Sequence, residues 1–269
     1  MKILLIEPPF HRFMGFYRYF FPFSLASLAG YIKKQGHDVM VYDADHGEKP
    51  VSMTSSDLLD VFSKYLTGIK NPDHPIWKEI ENVIRDYEPD LIGITFMSTK
   101  MGAVQQITNT AKKLFPSVPV VIGGAHPSVL YHSSIKKINA DYVVMGEGEE
   151  TFRELVDALE RKENDFSGIR GLAYTNSHKD IIVTPPRPLI SNIDSLPFPD
   201  RESLFKLETY RPDDLSMIMT SRGCPFNCTF CSSLWERKVR NRSIPHIISE
   251  IEYLIDRFHT NNIYFKDDT

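Results

Sequence analysis

The segment Pro119-Val-Val-Ile-Gly-Gly-Ala-His-Pro127 shows the pattern that indicates the fold class most clearly. A short β-branched run ends in a glycine pair, and the residues that follow can begin a helix. Residues 1 to about 160 repeat this order of buried run, turn and amphipathic helix. Such alternation predicts parallel strands joined by right-handed crossovers. We therefore expect a doubly wound, Rossmann-like α/β domain over residues 1–165.

Strands are predicted at Lys2–Glu7, Asp38–Asp43, Asp90–Phe96, Pro119–Ile122 and Asp141–Met145. Helices are predicted near residues 24–35, 55–66, 75–87, 100–115, 129–139 and 150–160. The spacing of Thr151 and Glu154 is typical of a capping box at the start of the last helix.

The C-terminal ends of these strands are the place to look for a ligand site, because doubly wound sheets bind ligands there. Glycines at such ends let a long ligand lie against the backbone. The candidate binding residues are Pro9, Ser98, Thr99, Gly123, Gly124, His126, Gly146, Glu147 and Gly148.

Plain structural interpretations compete with this one. The glycine pair taken alone is more typical of a turn, and His126 is expected to hydrogen-bond rather than to coordinate a metal. Glu147 and Glu149 fit a solvated pair at a helix start as well as a ligand role. Three other histidines are expected at the surface, namely His37, His46 and His132.

All three cysteines of the chain lie in Cys224-Pro-Phe-Asn-Cys-Thr-Phe-Cys231. Thiolates spaced in this way can converge on one metal centre from a single loop, whereas a structural zinc site needs a fourth ligand. An iron-sulfur cluster with three cysteine ligands keeps one iron open. We therefore favour a 4Fe-4S cluster on Cys224, Cys228 and Cys231. A zinc site completed by a His or carboxylate, or plain reduced cysteines, are the alternatives.

The flanks of this loop predict the opening of a barrel. Residues 215–220 form a short apolar run, Ser243 can cap a helix, and residues 263–269 predict a second strand ending in Asp267 and Asp268. Residues 211–269 would then be the first βαβ unit of a partial TIM barrel, and the chain a fragment of a longer protein. A hairpin and a proline-rich linker are expected over 166–210.

The C-x3-C-x2-C motif, with Phe230 before its last cysteine, resembles the signature of the radical S-adenosylmethionine (SAM) superfamily. The resemblance implies that SAM chelates the open iron and that one electron from the cluster generates a 5'-deoxyadenosyl radical. It implies that Phe230 lies near the adenine. It also places Asp267 and Asp268 where the family contacts the amino group of SAM.

The first 150 residues resemble the cobalamin-binding domain found upstream of many radical SAM enzymes. The resemblance rests on Pro8-Pro9 after a strand, residues 22–29, residues 36–39, the Gly-Gly-x-His-Pro motif and the Gly-Glu-Gly-Glu motif. The D-x-H-x-x-G signature, whose histidine binds cobalt in many cobalamin enzymes, is missing. The resemblance therefore implies cobalamin held without a protein histidine on cobalt.

Together these resemblances imply a cobalamin-dependent radical SAM enzyme that transfers a methyl group from methylcobalamin to an unactivated carbon. A cyclase or rearrangement enzyme of the same family is an alternative, as is a non-catalytic corrinoid- or zinc-binding module. A methylthiotransferase would need a second cysteine cluster, which the sequence lacks. We expect a small-molecule substrate and an electron donor such as flavodoxin or ferredoxin. The truncated chain alone is expected to be inactive.

Composition excludes other classes. A formal net charge of −4 gives no basic footprint for nucleic acid. No apolar stretch approaches membrane-spanning length, and the N-terminus does not resemble a signal peptide. A hydrophobic content of 42% is enough for a sizeable core. We expect a cytoplasmic protein, because an oxygen-sensitive cluster without disulfides fits a reducing compartment.

Overall fold

The computed structural model describes residues 1–15, 20–47, 57–231 and 237–268, with the side chains of residues 57–59 excepted. Its main sheet has seven strands in the order β2-β1-β3-β4-β5-β6-β7. The strands are β1 (Lys2–Glu7), β2 (Asp38–Asp43), β3 (Leu91–Thr95), β4 (Val120–Gly123), β5 (Tyr142–Val144), β6 (Leu172–Thr175) and β7 (Ile181–Val183). The first five are parallel, which confirms the predicted doubly wound α/β class.

Helices cover both faces of this sheet. They are α1 (His11–Met14), α2 (Phe23–Lys33), α3 (Asp57–Lys70), α4 (Pro75–Tyr87), α5 (Met101–Leu114), α6 (Ala125–Ile138) and α7 (Gly148–Glu160). Alternate residues of each strand point to opposite faces, so Leu4 and Ile6 join one core and Ile3 and Leu5 the other. Helices α2 and α7 pack on the second core, whereas α4, α5 and α6 contribute to the first. Within the described residues, no helix is both long enough and apolar enough to cross a membrane.

Two predicted helix starts are wrong. Helix α7 begins at Gly148, so Thr151 lies inside the helix, where its Oγ1 donates to the carbonyl of Arg170 instead of capping. Helix α6 begins at Ala125, because the chain turns at the N-cap residue Gly124, which has a φ of 98°, directly after β4. A non-helical Leu130 (φ −115°) interrupts α6 near the predicted start. The predicted start at residue 55 lies outside the described residues.

The predicted hairpin forms, and it extends the main sheet. Strands β6 and β7 pair antiparallel, and β6 pairs antiparallel with β5. The chain then passes through residues 185–200 to Arg201, whose guanidinium is fully buried. Arg201 donates to the carbonyls of Leu215 and Met217 and pairs with Glu250 at 3.3 Å. This arginine therefore joins the linker to the last part of the chain.

The last part of the chain forms the predicted strand–helix–strand unit. Strand β8 (Met217–Ile218) pairs in parallel with β11 (Tyr264–Phe265), and α8 (Ile244–Phe258) connects them. A second small ladder pairs β9 (Ser221–Arg222) antiparallel with β10 (Arg240–Asn241). The cysteine motif lies between β9 and β10 and begins six residues after the C-terminal end of β8, in the connection where a barrel carries its catalytic groups.

Candidate cofactor sites

A cavity of about 420 Å³ lies at the C-terminal edge of the main sheet. Its walls come from the N-terminal half of α2, from the ends of β1, β3, β4 and β5, and from the last part of the chain. That last part contributes Met219, Arg222, Lys266 and Asp268. Strand β1 has β2 on one side and β3 on the other, so the cavity lies beside the point where the strand order reverses, the usual ligand position in such sheets.

The glycines of this edge have two different roles. A Cβ on Gly124 would lie 2.6 Å from Thr95 Oγ1, and its φ of 98° also favours glycine, so this position serves the packing of the protein itself. Gly146 has a φ of 76°, and a Cβ built there would meet no atom within 4 Å. At Gly123 and Gly148 the nearest atoms would be at ordinary contact distances of 3.5 and 3.6 Å. These three glycines leave the backbone accessible to a ligand.

His126 lies beside this edge with its ring buried. Its Nδ1 is 2.7 Å from Ser98 Oγ, and its ring lies 5.1 Å from the Phe96 ring. Burial, together with the positive charge of Lys137, lowers the pKa of His126. Its Nε2 is buried and has no hydrogen-bond partner among the described residues. The geometry fits the predicted hydrogen-bonding role, with one nitrogen left to pair.

The cavity brings together five of the nine predicted cobalamin-site residues, namely Gly123, Gly124, Gly146, Glu147 and Gly148. Ser98 and His126 form a hydrogen-bonded pair next to it, Thr99 is exposed, and Pro9 is buried. The exposed side chain of Met97, which the sequence did not single out, lines the cavity at the end of β3.

A buried ionic cluster anchors the loop that follows β1. Lys100 Nζ is 2.5 Å from Glu7 Oε1, 3.2 Å from Asp45 Oδ2 and 2.9 Å from the carbonyl of Pro8. Burial alone would raise the pKa of Asp45, but the hydrogen bond with His11 and the charge of Lys100 outweigh it and lower the pKa. No sequence motif predicts this cluster, because its members are distant in the chain.

The cysteine loop is far more open than the cavity. Cys224 is partly exposed, whereas Cys228 and Cys231 are exposed, and the Phe230 ring is 90% exposed. The amide of Cys231 donates to the carbonyl of Cys228 at 3.1 Å, so a tight turn brings these two residues together. Over the described residues, no three His, Cys, Asp or Glu side chains are arranged to hold a metal. The donor set still fits an iron-sulfur cluster, since three accessible thiols lie on one loop.

Both predicted carboxylates reach the turn that leads to Cys224. Asp267 accepts hydrogen bonds from the amides of Thr220 (2.7 Å) and Ser221 (2.8 Å) and from Thr220 Oγ1 (2.6 Å). Asp268 accepts from the amide of Gly223 at 3.0 Å and lines the cavity. Asp267 is thus engaged with the turn through both oxygens, whereas Asp268 faces the cavity.

Glu147 and Glu149 are buried, at 7% and 6% exposure, so the interpretation as a solvated pair is wrong. Glu147 binds Arg222 at 3.0 Å, Arg240 at 2.9 Å and the amide of Ile190 at 2.7 Å. Glu149 binds the other terminal nitrogen of Arg222 at 2.6 Å. Burial would raise the pKa of Glu147, but hydrogen bonds from Arg240 and Ile190 and the charge of Arg222 lower it.

One of the three histidines expected at the surface is buried. His37 is only 7% exposed, and its Nδ1 lies 3.2 Å from the N-terminal amine of Met1. His46 is half-buried and stacks on Tyr210 with ring centroids 3.8 Å apart. His132 is exposed, as expected.

Comparison with known proteins agrees with this geometry. The B12 binding domain family matches residues 16–156. The chain is 34% identical over 278 residues to an uncharacterized methyltransferase of Pyrococcus horikoshii, covering 100% of this chain and 54% of that protein. It is 28% identical over 281 residues to the anaerobic magnesium-protoporphyrin IX monomethyl ester cyclase of Rubrivivax gelatinosus, covering 100% of this chain and 45% of the cyclase. The chain thus spans about half the length of these curated relatives.

The fold is shared with a solved structure. The cobalamin-dependent S-adenosylmethionine radical enzyme OxsB, with aqua-cobalamin and S-adenosylmethionine bound, superposes with a TM-score of 0.71 at 18% identity. The match covers 99% of this chain and 34% of OxsB. The predicted likeness to a cobalamin-binding domain thus holds in both sequence and fold, and the chain belongs to the B12 binding domain family.

Proposed function

We propose that this chain is the part of a cobalamin-dependent radical SAM methyltransferase that binds both cofactors. One observation carries the proposal. The glycine-rich strand ends of the main sheet and the turn that leads to Cys224 line the same cavity. Two cofactors bound at these elements would therefore face a common space, as transfer between them and a substrate requires.

The residues around this space have separate tasks. When bound, the cluster and SAM would supply a 5'-deoxyadenosyl radical, and cobalamin would supply the methyl group. Cys224, Cys228 and Cys231 would each bind one iron, and the exposed ring of Phe230 is available to cover the adenine. Asp268 would accept a hydrogen bond from the amino group of SAM, while Asp267 holds the turn in place.

The strand ends would hold the cobalamin. Gly123, Gly146 and Gly148 let the nucleotide tail approach the backbone. His126 keeps one buried nitrogen for a hydrogen bond to the ligand, and Ser98 fixes the orientation of its ring. Thr99 and Pro9 shape the loops on either side.

The remaining expectations are part of the same proposal. Residues 1–165 would form the cobalamin domain, 166–210 the hairpin and linker, and 211–269 the start of the radical SAM barrel. The whole protein would act on a small molecule in the cytoplasm and take electrons from a flavodoxin or ferredoxin.

A radical cyclase is the second candidate, because the Rubrivivax cyclase matches the whole of this chain. The two reactions differ in the fate of the methyl group of SAM. A methyltransferase loads that group onto the corrinoid, whereas a cyclase needs only the radical.

The test is anaerobic reconstitution of the full-length protein with iron, sulfide and hydroxocobalamin, followed by SAM with an isotope-labelled methyl group and a chemical reductant. We expect iron and acid-labile sulfide in equal amounts, retained corrinoid, 5'-deoxyadenosine as product and label in the corrinoid fraction. Deoxyadenosine without corrinoid label would favour the cyclase. Stoichiometric zinc without iron would overturn the radical mechanism, and a folded protein that retains no corrinoid would overturn the cobalamin assignment.

A further inference from the structure

Two buried glutamates and two largely buried arginines join the cavity to the cysteine loop. Glu147 and Glu149 supply two carboxylates, and Arg222 and Arg240 supply two guanidinium groups, so this cluster, here termed the Glu–Arg clamp, is neutral as a whole. Arg222 bridges both carboxylates with its two terminal nitrogens, at 3.0 and 2.6 Å. Such a forked arrangement fixes orientation as well as distance.

The positions of these residues in the chain give the clamp its significance. Glu147 lies between Gly146 and Gly148, on the cavity wall at the end of β5. Arg222 comes two residues before Cys224, and Arg240 pairs with Arg222 across the β9–β10 ladder. The clamp therefore holds both ends of the cysteine loop against the edge of the cavity.

The burial of these charges makes the arrangement sensitive to the loss of one member. Glu147 and Glu149 side chains are 4% and 8% exposed, and those of Arg222 and Arg240 are 19% and 11% exposed. Removing one carboxylate leaves a buried guanidinium short of counter-charge, which is costly in a low-dielectric site. The exposed cysteine loop is the part that can move to relieve this cost, since the sheet is packed on both faces.

We propose that the Glu–Arg clamp sets the separation and orientation of the cysteine loop relative to the cavity, with Glu147 as its central positioning residue. The cofactor identities rest on the proposed function. The clamp itself consists of residues of this chain, so its effect on the loop can be measured before any cofactor is added.

The first experiment compares Glu147→Gln with Glu154→Gln in the 269-residue chain without cofactors. Glu154 lies on helix α7, which begins directly after the N-cap residue Glu147, and pairs with Arg187 of the linker, so it controls for loss of an ion pair at α7. Amide hydrogen exchange of residues 221–231 and 237–241 is measured by mass spectrometry. We expect exchange on the order of tenfold faster in Glu147→Gln and unchanged in Glu154→Gln. Equal exchange in the two variants would overturn the clamp.

A charge-preserving variant separates geometry from charge. Arg222→Lys keeps a positive charge, but one ammonium group lacks the planar fork that spans both carboxylates. We expect an exchange rate between those of the wild type and Glu147→Gln. A rate equal to that of Glu147→Gln would also support the forked geometry, whereas a wild-type rate in Arg222→Lys would contradict it.

The second experiment uses the reconstituted full-length protein. Cob(II)alamin and the reduced cluster each carry an unpaired electron, and pulsed EPR reports the distribution of distances between them. We expect a narrow distribution in the wild type and Glu154→Gln, and a broader one in Glu147→Gln at equal iron and cobalt content. An unchanged distribution in Glu147→Gln would overturn the positioning role. Failure of the wild type to load iron or cobalt would contradict the proposed function instead, and the exchange data would still decide the clamp.

Discussion

The cavity at the sheet edge and the cysteine loop differ in how well they are packed in the absence of cofactors. The cavity has walls from buried strands and a loop anchored by the Lys100–Glu7 pair. The cysteine loop has two exposed thiols and an almost fully exposed Phe230. Both sites face the same space. The cavity is formed by packed side chains, whereas the cysteine loop packs little against the rest of the protein.

The two sites therefore obtain their shapes in different ways. A strand end is fixed by its sheet, so a ligand can bind there without large rearrangement. A metal site often takes its geometry only when the metal binds, because ligand binding and local folding are coupled. We therefore expect the cavity to be formed in the cofactor-free chain. The cysteine loop, held at its two ends by the Glu–Arg clamp, should take its final shape when the cluster binds.

The largest expected effect is at the cysteines. Cys228→Ala should reduce bound iron and acid-labile sulfide to background after anaerobic reconstitution, because two thiolates cannot hold the cluster. The free energy of unfolding of the cofactor-free chain should change by less than about 0.5 kcal/mol, since the side chain is exposed. Iron analysis and urea unfolding measure the two quantities.

Thr229→Ala is the control, because Thr229 is exposed, lies next to Cys228 in the same loop and carries no thiol. It should retain wild-type iron. Retention of the cluster by Cys228→Ala would contradict the assignment of the three ligands.

A smaller effect is expected at two glycines of the cavity edge. Gly124→Ala should destabilise the chain by about 3 kcal/mol, because its Cβ would clash with Thr95 and its backbone has a positive φ. Gly146→Ala should cost only about 1 kcal/mol, from its positive φ alone, but should weaken retention of hydroxocobalamin. Urea unfolding and gel filtration with hydroxocobalamin distinguish the two positions.

If Gly146→Ala binds hydroxocobalamin as the wild type does, the open space beside Gly146 is not part of the ligand site. If Gly124→Ala is as stable as the wild type, Gly124 is not required for packing.

The sequence predicts the strands and helices of the sheet better than the long-range ion pairs that join its edge to other parts of the chain. Alternating strands and helices are local patterns, so β1 and β2 could be placed from Lys2 to Asp43 without error. The Glu147–Arg222 and Glu7–Lys100 pairs join residues 75 and 93 positions apart. No local periodicity links such residues. The sequence therefore leaves both roles of Glu147 open, because Arg222 and Arg240 come near it only in the folded chain.

The smallest expected effect is on the pH dependence of stability, and it distinguishes a buried histidine of the cavity edge from an exposed one. Burial lowers the pKa of His126 in the folded chain below the value of about 6.5 in the unfolded chain. The unfolded chain therefore takes up a proton first as the pH falls, and stability should decline below about pH 6.5. His126→Gln should decline less, as measured by urea unfolding at a series of pH values.

His132→Gln is the matched control, because His132 is exposed on the same helix. It should keep the wild-type decline. An identical decline in His126→Gln would mean that His126 does not contribute to the pH dependence.

A triple variant tests whether the cavity forms without the cysteine loop. Cys224, Cys228 and Cys231 are all replaced by alanine, and the retention of hydroxocobalamin is measured. We expect no bound iron and a cobalamin affinity within about twofold of the wild type, because the walls of the cavity come from other residues than the three cysteines. A folded triple variant that has lost cobalamin binding would contradict the claim that the cavity is formed in the cofactor-free chain.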